Sequence, residues 1–186
     1  MITKNFAGKK IIIRSLMAKD LKSPEKFQDF VNSLVEEKAM ILINSKKSKK
    51  DEQEWLKESL QEIRKDKGVR LVAESNGEIV GNSGITLLKE SKNHIGEFGI
   101  SIKNGYRRIG LGKFLMAEVI KSARKKFGKK LKIIRLSVYR GNQSALALYQ
   151  KMGFKQVAVI PKQVQHKGKL IDELIMLKYL CSIDKS

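Results

Sequence analysis

The chain has 186 residues, 41% hydrophobic and 31% charged, with a formal net charge of +20. Such a length suits one domain with a full core, and the composition excludes a disordered chain. A lone cysteine, Cys181, excludes an intrachain disulfide framework and fits a reducing, cytoplasmic setting; with only two histidines beside it, a usual zinc site is excluded too.

No apolar run approaches the ~18 residues of a membrane span. The N-terminal apolar stretch is only Ile11-Ile12-Ile13, too short for a signal peptide. The positive charge predicts attraction to anions such as CoA, nucleic acid or ribosomes. The lysines are spread along the whole chain, however, which equally describes a solvated coat.

In chain order, Lys10 to Leu16 reads as a first strand with three consecutive β-branched residues. Ser23-Pro24-Glu25 has the form of a helix start, with a serine cap, proline at the first helical position and an acid in the first turn. The helix carries an apolar stripe of Phe27, Phe30, Val31, Leu34 and Val35 to about Glu37. Met40 to Ile43 is apolar and unassigned, and Asn44 to Lys50 reads as a mobile polar loop. A second helix is expected over 51–65, with Trp55, Leu56, Leu60 and Ile63 on one side. Strands follow at Val69 to Glu74 and Ile79 to Lys89, joined by the hairpin signal Asn76-Gly77.

The next strand spans Phe98, Ile100 and Ile102 and runs into a helix whose apolar residues recur at Leu111, Leu115, Val119, Ala123 and Phe127. Between them lies Arg107-Arg108-Ile109-Gly110-Leu111-Gly112-Lys113. The first N–H groups of a helix have no intrahelical partner and sit at the positive end of its dipole. Glycines there let an anion reach the backbone. The segment lacks the third glycine and distal acid of a dinucleotide fingerprint, and it is not a P-loop. A strand over 133–139, a short helix capped by Asn142, a strand from Phe154 to Ile160 and a last strand from Leu170 to Leu180 complete the chain.

Two segments carry a family resemblance. Arg107-x-x-Gly110-x-Gly112 after a strand resembles the acyl-CoA pyrophosphate loop of the GNAT family, the GCN5-related N-acetyltransferases. About 30 residues on, Asn142-x-x-Ala145-x-x-x-Tyr149-x-x-x-Gly153-Phe154 resembles that family's segment after its second parallel strand. The likeness is good over roughly 70–180; before residue 68 it rests on element order alone.

The resemblance implies an α/β (α+β) fold in a single N-acetyltransferase domain over 1–186. It would have a mixed, mostly antiparallel sheet of six to seven strands in the order β-α-α-β-β-β-α-β-α-β-β. Helices within 24–68 would shape the acceptor site, about 70–160 would bind acetyl-CoA, and 154–180 would add C-terminal strands. Acetyl-CoA would lie where strands 97–102 and 133–139 splay. Backbone groups of Ile100, Ser101 and Ile102 would hold the pantetheine arm. Arg107, Arg108, Ile109, Gly110, Leu111 and Gly112, with Lys113 nearby, would hold the pyrophosphate. Asn142 would contact the cofactor. Tyr149 would sit near the sulfur as the acid, and Glu97 would be the base, with no metal required. Ribosomal-protein N-acetyltransferases of this family place a glutamate five residues before the asparagine; Ser137 stands there in this chain.

The expected acceptor is a peptide or protein amine, or else a small-molecule amine, and the protein is expected to be a monomer or homodimer. Two other classes stay open. One is a catalytically inactive CoA-binding regulator on the same fold. The other is a basic RNA- or ribosome-associated protein gripping phosphates with Arg107, Arg108 and the lysines 125, 126, 129, 130 and 132.

Overall fold

The computed structural model describes residues 1–180; Cys181 lies outside them. The elements, in chain order, are β1 (Ile2–Phe6), β2 (Lys9–Ser15), α1 (Pro24–Glu36), α2 (Lys49–Arg64), β3 (Gly68–Ser75), β4 (Glu78–Leu87), β5 (Ile95–Ile102), α3 (Leu111–Phe127), β6 (Ile133–Tyr139), α4 (Gln143–Lys151), β7 (Lys155–His166) and β8 (Lys169–Tyr179). One eight-stranded sheet runs in the order β1-β2-β3-β4-β5-β6-β8-β7. Among the described residues only β5 and β6 pair in parallel.

The sheet has one strand more than the upper end of the expected six to seven. The addition is β1, which hairpins onto β2 through Ala7 and Gly8, both at positive φ. Four of its five residues are exposed and only Phe6 is buried, so it lacks the alternation that marks a strand in sequence. β7 also outruns its expected end at Ile160, reaching His166. Pro161 is accommodated where the β7–β8 register slips between Ile160 and Val164, on an edge strand where a missing N–H costs no ladder bond.

Helices cover both faces. On one, α1 buries Phe27, Phe30 and Leu34 and α2 buries Leu56 and Leu60 against Leu16, Val72 and Ile79. Ser23 precedes Pro24 as expected, but its side chain makes no capping bond. The cap of α2 is reciprocal instead, Ser48 and Asp51 each bonding the other's backbone N–H. The segment 44–50, expected to be a mobile loop, gives its last two residues to α2 and is tied to α1: the Lys47 carbonyl accepts bonds from Gln28 and Asn32 at 3.0 Å, and Lys47 N donates to Asn32 Oδ1 at 2.8 Å.

On the other face α3 buries Leu111, Leu115, Met116, Val119, Ala123 and Phe127 in the larger core, which α4 joins through Tyr149. The end of α4 explains its Tyr-x-x-x-Gly-Phe pattern. Gly153, at φ +83°, turns the chain so that Gly153 N donates to the Gln150 carbonyl at 2.9 Å and Phe154 N to that of Tyr149 at 3.0 Å. This is a glycine-terminated helix stop whose flanking apolar residues pack together. Here they are the Phe154 and Tyr149 rings, 6.2 Å apart.

Candidate active site

The site follows from one interruption in the sheet. β5 and β6 pair only at Ile95–Ile133, Gly96–Ile134 and Glu97–Arg135, after which the strands diverge. From Phe98 onward β5 remains paired to β4 on its other edge, leaving the edge toward β6 free. β6 stays in the sheet through its pairing with β8. The gap opens into a cavity of about 810 Å³ running between the sheet and the α1–α2 face.

The gap's free β5 edge carries Ile100, Ser101 and Ile102, and Glu97 sits at its apex. Arg107, Arg108, Gly112, Asn142 and Tyr149 also line the cavity, so it unites nine of the expected site residues. Ile109, Gly110, Leu111 and Lys113 belong to the same loop and helix start but not to the wall. Leu111 is fully buried in the core, so only its backbone faces outward chemistry. Gly110, at φ +88°, forms the N-cap of α3 and provides no side-chain cap. The first N–H groups of that helix are therefore free to hold an anion.

Arg107 does not project freely. Its Nε donates to the Ile102 carbonyl at 2.7 Å, and its guanidinium pairs with Glu37 at the end of α1. Asn142 uses Oδ1 to accept from Ala145 N at 3.2 Å, capping α4. Tyr149 is 7% exposed and packs edge-on against Phe98 at 6.2 Å. Burial pushes its phenol up to about 12. Burial also raises the Glu97 carboxyl, which Arg135 at 3.7 Å opposes and Glu173 reinforces. Its Oε2 is buried with no hydrogen-bond partner.

The arrangement matches known proteins. A family model described as acetyltransferase (GNAT) family fits residues 32–154. The chain belongs to the GNAT acetyltransferase family. Among curated GNAT-like relatives, an L-amino acid N-acetyltransferase of Escherichia coli, AaaT, is 26% identical over 59% of this chain and 67% of its own length. An N-alpha-acetyltransferase of Sulfurisphaera tokodaii is 32% identical over 48% of this chain and 58% of its own. An acetyltransferase structure from Streptococcus pneumoniae, 27% identical, superposes with a TM-score of 0.78, covering 91% of this chain and 99% of that one. A Salmonella typhimurium fold relative bound to acetyl-CoA, 19% identical, gives 0.77 over 95% and 97%.

The GNAT chain is thus an acetyl-CoA-dependent N-acetyltransferase. Among the described residues no group of three potential metal ligands occurs, and no helix is long and apolar enough to cross a membrane. The free β5 edge, the uncapped α3 start and the cavity volume suit a long anionic thioester. Gly112 lets the start of α3 pack closely on β5, since a Cβ there would meet Ile102 Cδ1 at 3.2 Å.

The helices within 24–68, expected to shape the acceptor site, supply the other half of the wall, though no single residue of it was assigned a role from sequence. Phe27, Phe30 and Trp55 come from α1 and α2, and Met40 to Ile43 from the segment between them. That segment is held over the gap by Tyr139, whose hydroxyl donates to the Ile41 carbonyl at 2.8 Å. Glu52, Arg70 and Asn82 add polar groups. Of these residues, the segment 40–43 gave a legible signal, an apolar run with no element to belong to.

Proposed function

We propose that this enzyme transfers the acetyl group to a primary amine by direct attack in a ternary complex. The carrying observation is that pairing stops at Glu97–Arg135, so that one gap receives Glu97, the free β5 edge and Tyr149 together. Acetyl-CoA supplies the thioester carbonyl. The acceptor enters from the α1–α2 side, the half of the cavity not formed by the α3 and α4 starts.

Glu97 takes the proton that the attacking amine must lose, directly or through water. Burial favours this role by raising its basicity above an ordinary carboxylate. Backbone N–H groups of β5 beyond Glu97 stabilise the oxyanion that forms as the nitrogen bonds to the carbonyl carbon. The carbon–sulfur bond then breaks and sulfur leaves with the electron pair. Tyr149 stays protonated at every physiological pH, because its phenol lies at about 12. A thiolate of ordinary basicity, ~8.5, would not strip such a phenol. Tyr149 therefore donates a hydrogen bond to the departing sulfur, and the proton taken by Glu97 balances the reaction through solvent.

Tyr149→Phe tests this assignment. The ring contacts with Phe98 and Phe154 survive, so the melting temperature and acetyl-CoA affinity stay within error. Turnover falls by roughly 10- to 100-fold, as suits one lost hydrogen bond to a charged atom. Unchanged turnover with a library of amines would exclude Tyr149 from the chemistry.

A further inference from the structure

The acceptor half of the cavity contains an arginine that its own fold does not neutralise. Three arginines lie at least partly buried on the α1–α2 face, and of these Arg135 stands beside Glu97 at 3.7 Å. Arg14 is fully paired: its guanidinium meets Asp20 at 2.8 and 2.9 Å and Glu74 at 3.0 Å. Arg70 has no such partners among the described residues. The nearest acid felt by its charge is Glu62, whose Oε2 is taken by the Thr86 hydroxyl at 3.1 Å. The Arg70 guanidinium instead lies 4.9 Å from the centre of the Trp55 ring and faces the cavity. A half-buried cation without an anion is unfavourable, and one held beside an aromatic ring keeps its planar fork for a carboxylate.

The sheet register says where that carboxylate would sit. Arg70 pairs with Gly84 on β4, and Gly84 with Gly99 on β5. The guanidinium lies directly over Gly84, where a Cβ would come within 3.0 Å of Cζ and Nη1; over Gly99 the space is open, with nothing within 4 Å of a Cβ. The row thus runs from cation to empty floor to the free edge of β5. On opposite sides of the row stand two buried oxygens without hydrogen bonds, Asn82 Oδ1 opposite Ser101 and Glu97 Oε2 opposite Thr86, the latter 3.7 Å from Arg135 Nε. Glu97, at the apex of the gap, is the one placed to meet an amine. From β4 to the midline of the β5–β6 gap is roughly 7 Å at ordinary strand spacing. A hydrogen bond of about 2.9 Å plus the one-carbon link between amine and carboxylate of an α-amino acid covers it. Phe27, Phe30 and Trp55 provide an apolar wall beside this row.

We propose, building on the acetyltransferase reading above, that the acceptor is a free α-amino acid with an apolar side chain, its carboxylate bound by Arg70 and its amine presented to Glu97. A polypeptide N-terminus has no carboxylate at this spacing and leaves the cation unpaired.

The test compares the apolar L-amino acids with their amides as acceptors, following CoA release, in the intact protein and in Arg70→Gln and Arg70→Lys. Amidation lowers the amine's pKa and so favours the amide chemically. The proposal requires the opposite order, with kcat/KM at least 100-fold higher for the acid, mostly through KM. In Arg70→Gln that ratio collapses to within a few-fold of one, and in Arg70→Lys it lies between, since charge without the fork recovers only part. Acetyl-CoA binding, measured in parallel, reports that each variant is folded. Equal use of acid and amide by the intact protein, or a ratio unmoved by Arg70→Gln, overturns the carboxylate site. Acetyl-CoA binding with turnover only of peptides or of amines lacking a carboxylate overturns it while leaving acetyl transfer standing. Failure to bind acetyl-CoA would instead strike the acetyltransferase reading itself.

Discussion

Glu97 and Glu52 show how one cavity treats two carboxyls. Both are raised by burial, but Glu97 has Arg135 close by and Glu52 has no arginine, its charge being opposed only by Lys47. In the proposed role of base Glu97 acts in its ionised form, so kcat/KM should fall as pH drops through a value above the ordinary ~4.3 of a glutamate. In Glu97→Gln that acid limb disappears, leaving only the limb set by the acceptor's own amine, with the rate down roughly 100-fold. Retention of the same limb in the variant would assign it to another group. Glu52 is buried and lifted to about 7. Its folded form therefore keeps a proton that the unfolded chain has released above ~4.3, and stability is lost as pH rises toward 7. At ~1.4 kcal/mol per unit the ceiling is roughly 4 kcal/mol. Glu52→Gln should accordingly raise the melting temperature at pH 8 and leave it unchanged at pH 4; equal effects at both would refute the burial argument.

At the level of elements, β1 and β2 acquire a role that their composition did not announce. Lys9 Nζ donates to the Gly105 carbonyl at 2.8 Å and lies 4.4 Å from the Tyr106 ring centre, bracing the loop that leads into α3. Phe6 packs edge-on against Phe114 of α3 at 5.6 Å. The hairpin thus buttresses the loop expected to hold the pyrophosphate. Lys9→Met should weaken acetyl-CoA binding about three-fold, as suits an exposed charge-assisted bond. Lys10→Met, which removes the same charge without touching the loop, should not; equal losses in both would reduce the effect to charge. Elements with strong local signals were legible in sequence. Helix periodicity set α1, α2 and α3 to within about two residues, and Asn76-Gly77 turns as its type demands, both residues at positive φ. The two family-like segments placed Gly112, Asn142 and Tyr149 at one gap. Arg70, Asn82 and Glu52 were not legible, because nothing local distinguishes them. Their meaning comes from a register that sets Arg70 beside Gly84 and from helices that close over it.

Over the whole molecule the charge of +20 and the splayed sheet both suit an anionic thioester. The phosphates of CoA should be drawn to a lysine-rich surface whose basic loop leads into the uncapped end of α3. The measurement that bears most directly on the account is calorimetric titration of acetyl-CoA into the intact protein and into Gly110→Glu. Gly110 holds a left-handed conformation, and glutamate there adds backbone strain of about 1 kcal/mol or more and a negative charge at the helix start. The account predicts one site per chain that weakens as salt rises, and loss of at least 100-fold in affinity in the variant without loss of the fold. Undiminished binding in a folded Gly110→Glu protein, or no binding in the intact one, would contradict it.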